Sequence, residues 1–445
     1  MPSINAEDLV RQAYSEYGSY VNNFRALPDI RDGLKPVQRR ILLSASDSGS
    51  LSKVVKSAVV VSGTTGSYHP HGESSVYNAM VKMVNHQVPM FTPQGNFGLR
   101  SYVSAPPAAM RYTGVQLKNV ASSIYLAHRK YAPEYKNELH VSEPHFLPTS
   151  VPYCLLNGCI GIGIAVRTHI PPVTLISLKK AIKFYLMGKS MPLLSPSPPG
   201  GMGWIEMEPS EVMSLNYLGH GTATIGAHVS WEFDENDRTY SICVSDAPEG
   251  LSYGRIKASL EIDNLISDGY VRIRNASTSS TKILIRRTKN TRRINDEDLF
   301  ERVKSSMKRQ ISFQCVVSDN GVAKKVGIRK ILQTAINHDV KAYTQKVQEN
   351  LDEIDYEKKF FFIRKHLVDA LISDIPFKDI LKLEAVSSYD VSEEELKRML
   401  RKSISALQRG TASVQELNEK EQTLKKLLES PEISYLKSGI DLGGL

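Results

Sequence analysis

Arg111 and Tyr112 are the adjacent residues in this chain whose types best suit covalent chemistry. A tyrosine phenol, with a pKa of about 10, is a weak nucleophile unless a cation stabilises the phenolate and the charge on the group attacked. A neighbouring arginine can help, because its guanidinium forms paired hydrogen bonds to phosphate oxygens. The alanines and prolines of 105–109 would let a bulky partner approach closely. Because an Arg–Tyr pair by itself is more often structural, its meaning depends on the surrounding elements.

Two histidines, His69 and His71, directly precede a helix that the spacing of Val76, Met80, Met83 and Val84 predicts. At a helix N-terminus, the backbone N–H groups and the helix dipole favour an anion. A zinc site and a purely structural role are the alternatives, but no third zinc ligand stands nearby and Pro70 stiffens the pair, so the sequence favours phosphate. The same helix would carry Ser74, Asn78 and Lys82 on one polar stripe.

A second predicted helix begins near Pro36, in the segment DGLKPVQRRILLSA. Val37 and Ile41 would share an apolar face, whereas Lys35 and Arg39 would share a basic face with Arg40 nearby. This arrangement suits a helix that lies along DNA. A basic helix that is merely solvated remains the alternative.

Composition favours a folded protein with a polyanionic partner. The 445 residues are 41% hydrophobic and 23% charged, the formal net charge is +9 and the pI is about 9.1. Four scattered cysteines indicate buried thiols in a reducing cytosol rather than disulfides or zinc. No signal peptide precedes Glu7, and the most apolar run, 154–166, is too short to span a bilayer, so we expect a cytoplasmic protein and no membrane.

The layout changes along the chain from short helices and loops to strands and then to long helices. A Pro/Gly/Ser-rich connector at 187–203 precedes alternating β-branched runs that predict an α+β domain up to about 326. Val340, Val347 and Ile354 then recur at heptad spacing, and a second heptad run contains Val414, Leu417, Leu424 and Leu428, with Glu421 as a charged exception. An antiparallel coiled coil capped by a small globule follows, with a plain helical bundle as the alternative.

Together these segments resemble the type IIA DNA topoisomerases. RALPDIRDGLKPVQRRIL, SYHPHGESSVY, QGNFG, AAMRYT and LPTSVPYCLLNGCIGIGIAVRTHIPP occur in the order seen in gyrase A, in the C subunit of topoisomerase IV and in the C-terminal half of eukaryotic topoisomerase II. The motif-rich match covers about residues 15–175. The resemblance implies an α+β multidomain fold with a winged-helix DNA-gate domain, a tower domain and a long antiparallel coiled coil with a small helical dimer gate. The expected divisions are an N-terminal helix and arm (1–30), the DNA-breakage domain (31–175), the tower (176–330), the coiled coil and gate (331–435) and a tail (436–445).

The resemblance also implies roles for individual residues. Tyr112 matches the nucleophile that forms a 5′-phosphotyrosyl link, and Arg111 matches the residue that stabilises its transition state. Ile162 matches a wedge that inserts between base pairs and bends the DNA, which fits the known physics of apolar wedges; a core isoleucine in a glycine-rich loop is the alternative. The expected DNA contacts are Arg25, Lys35, Arg39, Arg40, His69, His71, Ser74, Asn96 and Ile162.

The family's activity needs more than these motifs supply. No acidic magnesium-binding signature and no ATP-binding fold is visible, so we expect Mg²⁺ and ATP to act through one or more partner subunits, in a heterotetramer or larger complex with duplex DNA and a homodimer of this chain. The chain stops soon after the coiled coil, without the DNA-wrapping domain of gyrase, so it resembles the medium subunit of phage topoisomerases or a trimmed topoisomerase IV subunit. We therefore expect relaxation and decatenation. The alternative is a non-catalytic DNA-bending protein that keeps the fold.

Three positions depart from the family pattern. Ser67 stands where bacterial relatives usually carry lysine, and Gly114 where they usually carry glutamate. Asn78 replaces a usual acid on the helix after the histidines. We expect these differences to change the grip on DNA more than the reaction.

Overall fold

The structure is a computed structural model of the chain. It describes residues 6–70, 72–98, 106–234, 239–262, 264–277, 281–288, 295–373, 375–380, 382–401 and 414–437. The structure divides into two compact units, one within Met1–Asp339 and the other within Val340–Ser438. The boundary therefore falls inside the predicted segment 331–435, and the finer division of the chain stays a prediction. No helix in the described ranges is both long and apolar enough to cross a membrane.

Among the described residues, ten α-helices lie wholly in the first unit, and an eleventh continues from the first unit into the second. They are α1 (Ala6–Val21), α2 (Pro36–Asp47), α3 (Ser57–Ser67), α4 (Glu73–Asn85), α5 (Asn119–Ala121), α6 (Tyr153–Asn157), α7 (Leu175–Leu186), α8 (Pro209–Leu218), α9 (Tyr253–Ile262), α10 (Asp296–Ser306) and α11 (Ile328–Ile372). The segments Asn22–Ala26 and Ser122–Leu126 are π-helical, and Met110–Tyr112, Arg129–Tyr131 and Pro199–Gly201 are 3₁₀ turns.

Sixteen strands are described, and all their pairings within sheets are antiparallel. They are β1 (Val55–Lys56), β2 (Phe91–Gln94), β3 (Gly114–Leu117), β4 (Glu134–Lys136), β5 (Ser142–Pro144), β6 (Cys159–Ile162), β7 (Arg167–Ile170), β8 (Trp204–Glu206), β9 (His220–Gly226), β10 (His228–Asp234), β11 (Thr239–Ser245), β12 (Val271–Asn275), β13 (Lys282–Arg287), β14 (Lys308–Gln314), β15 (Val316–Asp319) and β16 (Val322–Lys325). Their orders are β1-β3-β2, β6-β7-β14-β9-β8 and β10-β11-β13-β12, with the hairpins β4-β5 and β15-β16. The mixed α+β class is confirmed.

The helices α2, α3 and α4 pack on one another beside the β1-β3-β2 sheet. Pro36 opens α2 as predicted, and the Gln38 side chain accepts the backbone N–H of Lys35 at 2.9 Å, which caps the helix start. On α4 the predicted apolar stripe is fully buried at Val76, Met80 and Met83. Burial of this stripe fixes the rotation of α4, so its polar stripe faces solvent.

The middle of the chain contains the two larger sheets. TATIGAHV lies in β9 and the start of β10, YSICV lies in β11, and KILIRR forms β13. The strands predicted from these runs are therefore confirmed. In the four-stranded sheet, Ile242, Ile283 and Ile285 pack with residues of α9 and α10 in one apolar core. The β6-β7 hairpin forms one edge of the five-stranded sheet and carries Ile162 at the end of β6.

In its described residues, the second unit contains the rest of α11, three short helices and two returning helices. The helices are α12 (Phe377–Ile380), α13 (Glu384–Ser387), α14 (Glu393–Leu400), α15 (Val414–Glu429) and α16 (Pro431–Lys437). Lys358 pairs with Glu421, while the rings of Tyr343 and Tyr435 lie 5.2 Å apart, so α15 and α16 run antiparallel to α11. Glu421, the charged exception in the heptad, is thereby neutralised.

The end of α11 and the three short helices share a separate apolar core. Its members include Phe360, Ile363, Leu367, Leu396 and Met399. This core lies between the two heptad runs of the sequence, and the coiled coil with its dimer gate stays a prediction. Val340, Val347 and Ile354 are buried along α11, as their heptad spacing predicts.

Candidate active site

Tyr112 ends the 3₁₀ turn Met110–Tyr112 and projects into solvent, with 66% of its surface exposed. Arg111 is also exposed, and its guanidinium carbon lies 4.7 Å from the centroid of the Tyr112 ring. A cation at this distance is attracted to the ring face and adds positive charge beside the phenol. The pair therefore combines an accessible hydroxyl with a donor for an anionic group.

A buried set of hydroxyl groups holds this turn from below. Thr113 has no exposed surface, and its hydroxyl donates to Ser57 Oγ at 2.8 Å. The backbone N–H of Ser57, at the start of α3, returns a hydrogen bond to the carbonyl of Thr113 at 3.0 Å. Thr113, the residue after Tyr112, is thus tied to a helix rather than to a mobile loop.

Tyr77 of α4 connects both sides of the turn. Its hydroxyl donates to the carbonyl of Ala108 at 2.6 Å and lies 3.1 Å from Thr113 Oγ1. Within the turn, the N–H of Tyr112 donates to the carbonyl of Ala109 at 2.9 Å. These contacts fix the backbone before and after Tyr112 while its side chain remains exposed.

Two glycines allow the turn to pack closely on the small sheet. Gly95 has a φ of +91°, and a Cβ there would lie 3.0 Å from the carbonyl oxygen of Tyr112. At Gly114, a Cβ would lie 2.9 Å from Val54 Cγ1 and 3.2 Å from the Val55 carbonyl oxygen. Close packing favours glycine at position 114, because any side chain there must displace Val54.

Arg39 lies in the interior and not on the exposed basic face that the helical spacing predicts. Its guanidinium donates to both carboxylate oxygens of fully buried Asp32, from Nε at 2.7 Å and from Nη2 at 3.0 Å. Burial lowers the pKa of Arg39, but the charge of Asp32, the hydrogen bonds to it and the nearby Asp29 and Tyr135 together outweigh burial and raise that pKa overall. Removing one partner would leave a buried charge uncompensated. The DNA contact expected of Arg39 stays a prediction.

Arg40 is also buried, where it joins Glu143 to His69. Its Nη2 and Nε donate to Glu143 at 2.7 and 3.0 Å, and its Nη1 lies 2.9 Å from His69 Nδ1. Because a guanidinium can only donate, His69 Nδ1 accepts, and the ring is neutral with its proton on Nε2. Burial lowers the pKa of Arg40, but its hydrogen bond to Glu143 and the Glu143 charge outweigh this and raise it overall.

Tyr135 completes this group through a hydrogen bond from its hydroxyl to Glu143. Burial and then Glu143 raise the pKa of Tyr135 to about 12, so the hydroxyl remains a donor at neutral pH. The arrangement makes His69 a hydrogen-bond donor through Nε2. In the part of the chain that the structure describes, no group of three or more His, Cys, Asp or Glu side chains could hold a metal ion.

A cavity of about 410 Å³ lies between α2, α4 and the β6-β7 hairpin. Arg25, Lys35 and Lys82 all line it, and Lys35 Nζ donates to the carbonyl of Ile160 at 2.6 Å. Glu249 is the acidic residue among its lining side chains. The sequence placed Lys82 on the polar stripe of α4 without assigning it a contact, and the cavity brings it beside two predicted ones.

The remaining predicted contacts have different surroundings. Ile162 is 81% exposed, so the alternative of a core isoleucine is wrong. Ser74 is exposed in the first turn of α4. Asn96 is exposed too, but its side-chain oxygen accepts the N–H of Gly98 at 2.8 Å. His71 lies outside the described residues.

Comparisons with known proteins show which proteins this chain is similar to. Residues 25–435 match the family model that describes the A subunit of DNA gyrase/topoisomerase IV. The A subunit of DNA topoisomerase 4 from Staphylococcus aureus (strain NCTC 8325) is 31% identical over 404 residues, which cover 84% of this chain and 48% of the relative. The DNA gyrase A subunit of Dehalogenimonas lykanthroporepellens is 36% identical over 261 residues, 55% of this chain and 31% of that protein.

A plant relative extends the range of similar proteins. The chloroplastic/mitochondrial DNA gyrase A subunit of Nicotiana benthamiana is 30% identical over 385 residues, which cover 81% of this chain and 39% of the relative. The chain thus spans about half or less of the length of these relatives. The fold, the site and these matches together place the chain in the class of type IIA DNA topoisomerases. Within that class, the chain belongs to the family of DNA gyrase and topoisomerase IV A subunits.

Proposed function

We propose that this chain is the DNA cleavage and religation subunit of an ATP-dependent type IIA topoisomerase. The phenolic oxygen of Tyr112 bonds to a backbone phosphorus while the bond from phosphorus to the 3′ oxygen breaks. The phenol loses its proton, and the leaving 3′ oxygen gains one. The resulting 5′-phosphotyrosyl ester conserves the bond energy, so the reverse reaction rejoins the strand without ATP.

The exposed Tyr112 beside Arg111, on a turn fixed from below, is the observation that carries this proposal. A nucleophile needs access to its target, while its backbone must be held so that the reacting atoms meet correctly. The buried Tyr77, Thr113 and Ser57 hydroxyl groups supply the second condition. Arg111 supplies positive charge where the phosphoryl group gains negative charge.

The DNA grip is proposed to come from the region around the cavity. The helices α2 to α4 with the β1-β3-β2 sheet would form the winged-helix domain, and Arg25, Lys35 and Lys82 would contact phosphates. His69 would donate its Nε2 hydrogen to an anionic oxygen. The other proposed DNA contacts are Arg39, Arg40, His71, Ser74 and Asn96.

Ile162 is proposed to act as the wedge that bends the DNA. Its 81% exposure at the end of a strand leaves an apolar side chain in water, which is unfavourable. Insertion between base pairs would bury it again and would unstack one base step.

The complete enzyme is proposed to be a homodimer of this chain with one or more partner chains. The antiparallel α11 and α15 would form the coiled coil, and the globule between them would form the dimer gate. The partner would supply Mg²⁺ as well as ATP hydrolysis, as the resemblance to the family implies. The assembly would relax and decatenate DNA in the cytoplasm.

The test compares two tyrosine variants in the full chain, with its partner, duplex DNA and Mg²⁺. Tyr112→Phe should abolish the covalent protein–DNA adduct that survives detergent. Tyr217→Phe is the matched control, because Tyr217 is 57% exposed and also has an arginine, Arg329, with its guanidinium carbon 4.7 Å from the ring centroid. Adduct from the Tyr112→Phe variant would refute the proposal.

The alternative of a non-catalytic DNA-bending protein gives a different result in the same assay. It requires that the unaltered chain bend DNA but leave no adduct with the partner present. Adduct from the unaltered chain therefore excludes this alternative.

A further inference from the structure

The proposed wedge Ile162 lies next to a tight turn. The turn closes where the N–H of Gly163 donates to the carbonyl of Val166 at 2.8 Å, and Ala165 adopts a positive φ of 56°. A hairpin of this kind can yield sideways when its tip is pushed, unless something outside it holds the turn.

Asn22, which is far from the hairpin in sequence, makes that external connection. Its Nδ2 donates to the carbonyl of Ile164 at 3.1 Å, and its Oδ1 accepts the N–H of Ile164 at 2.9 Å. One side-chain amide thus satisfies both backbone groups of one turn residue, as the edge of a neighbouring strand would. No other side-chain type except glutamine offers a donor and an acceptor in this planar arrangement.

The approach is close enough to require glycines on the hairpin. A Cβ at Gly163 would overlap Asn22 Oδ1, and a Cβ at Gly161 would overlap the carbonyl oxygen of Ala26. Neither glycine has a positive φ, so close approach rather than backbone conformation explains them. Ile162 stands between these two contacts.

Asn22 and Ala26 begin and end the π-helical segment Asn22–Ala26. Short π-helical segments often occur at functional sites, where they change the direction of side chains. The same segment carries Arg25, which is exposed and lines the cavity. Lys35 adds a further tie from α2 through its hydrogen bond to the Ile160 carbonyl.

We propose that Asn22 is a positioning residue that braces Ile162 against the reaction force of DNA bending. The inference rests on the proposed function, because it assumes that Ile162 is the wedge. Intercalation pushes the wedge back along its own strand. The paired hydrogen bonds of Asn22 transmit that force to the π-helical segment and so to the body of the protein.

The experiment measures DNA bending by energy transfer between dyes at the two ends of a short duplex, using the full chain alone and with its partner and Mg²⁺. Asn22→Ala should lower the ratio of bent to unbent bound DNA by about 3- to 10-fold, as expected for loss of one or two hydrogen bonds. DNA affinity should stay within about 2-fold, because phosphate contacts dominate it. Asn23→Ala is the matched control, since the Asn23 side chain also both donates and accepts hydrogen bonds, but with Gly321 and Ser318 of the β15-β16 hairpin and with Ser19.

A double variant separates bracing from general stability. Ile162→Ala should reduce bending by itself, and adding Asn22→Ala should reduce it no further, because a brace without a wedge has no effect. Additive losses, or equal losses from Asn23→Ala, would overturn the inference. Unchanged bending in Ile162→Ala alone would instead overturn the wedge assignment in the proposed function.

A second pair of variants covers the case in which Asn22→Ala does not fold. Asn22→Asp keeps the acceptor for the Ile164 N–H but loses the donor, and Asn23→Asp adds the same charge at the next residue. Bending reduced in Asn22→Asp but not in Asn23→Asp supports the brace. Equal behaviour of the two would contradict it.

Discussion

Removing the Tyr77 hydroxyl tests whether the buried hydroxyl groups position the nucleophile. In Tyr77→Phe the ring remains, but the hydrogen bond to Ala108 at 2.6 Å and the contact with Thr113 at 3.1 Å are lost. Each lost hydrogen bond costs about 0.5–1.5 kcal/mol, so we expect the free energy of unfolding to fall by about 1–2 kcal/mol. The carbonyl of Ala108 also loses the partner that holds it four residues before Tyr112.

The expected effect on the reaction is larger than the effect on stability. A displacement of about 1 Å at a reacting group can cost up to about 100-fold in rate. We therefore expect the rate of adduct formation by Tyr77→Phe to fall at least 10-fold, while DNA affinity remains within about 2-fold. Rapid-quench measurement of adduct at saturating DNA gives the rate, and titration gives the affinity.

Tyr68→Phe provides the control for lost buried hydrogen bonds. Tyr68 is 7% exposed against 8% for Tyr77, and its hydroxyl donates to Asp47 at 2.8 Å without contact to the turn. This variant should lose stability but cleave at close to the normal rate. Equal rate losses in the two variants, or a loss in Tyr77→Phe that appears only in affinity, would refute the positioning role.

Three further changes have expected outcomes. Arg111→Lys keeps the charge but loses the planar fork, so adduct formation should slow by about 10- to 100-fold in the same rapid-quench assay, and an unchanged rate would argue against transition-state contact. Gly114→Ala should lower the free energy of unfolding by about 1 kcal/mol, because its Cβ would lie 2.9 Å from Val54 Cγ1. Adding Val54→Ala to the same chain should restore stability in a denaturant titration, and no rescue would contradict the steric explanation. Burial lowers the pKa of His169 to about 4. Between about pH 6.5 and 4 the unfolded chain therefore binds a proton that the folded chain does not. The free energy of unfolding should fall as the pH falls through this range, by at most about 3 kcal/mol. His169→Gln should flatten that part of the profile, and an equally steep profile in the variant would show that another group is responsible.

Local patterns predicted several elements because the relevant interactions lie within a few residues. The spacing of apolar residues on α4 gave its buried stripe, and the first-turn proline gave the start of α2. The heptad spacing on α11 gave Val340, Val347 and Ile354 as buried positions. On α4 and α11 the period of the helix decides which side chains face the interior.

The parts that the sequence did not predict depend on distant partners. Helical spacing placed Arg39 on an outer face, but the loop before α2 brings Asp32 into the interior, and a buried carboxylate attracts the guanidinium inward. Glu143, which pairs with Arg40, comes from the β4-β5 hairpin far along the chain. No local pattern connects Asn22 with Ile164 or Tyr77 with Thr113, because the fold alone creates those contacts.

Mapping the covalent protein–DNA link tests directly whether Tyr112 is the residue that attacks DNA. The full chain with its partner and Mg²⁺ would cleave duplex DNA, the complex would be trapped with detergent, and nuclease and protease digestion would leave one modified peptide for mass spectrometry. We expect a nucleotide attached through its 5′ phosphate to the phenolic oxygen of Tyr112, with free 3′ hydroxyl groups on the cleaved strands. A nucleotide on any other residue, or a link through a 3′ phosphate, would contradict it.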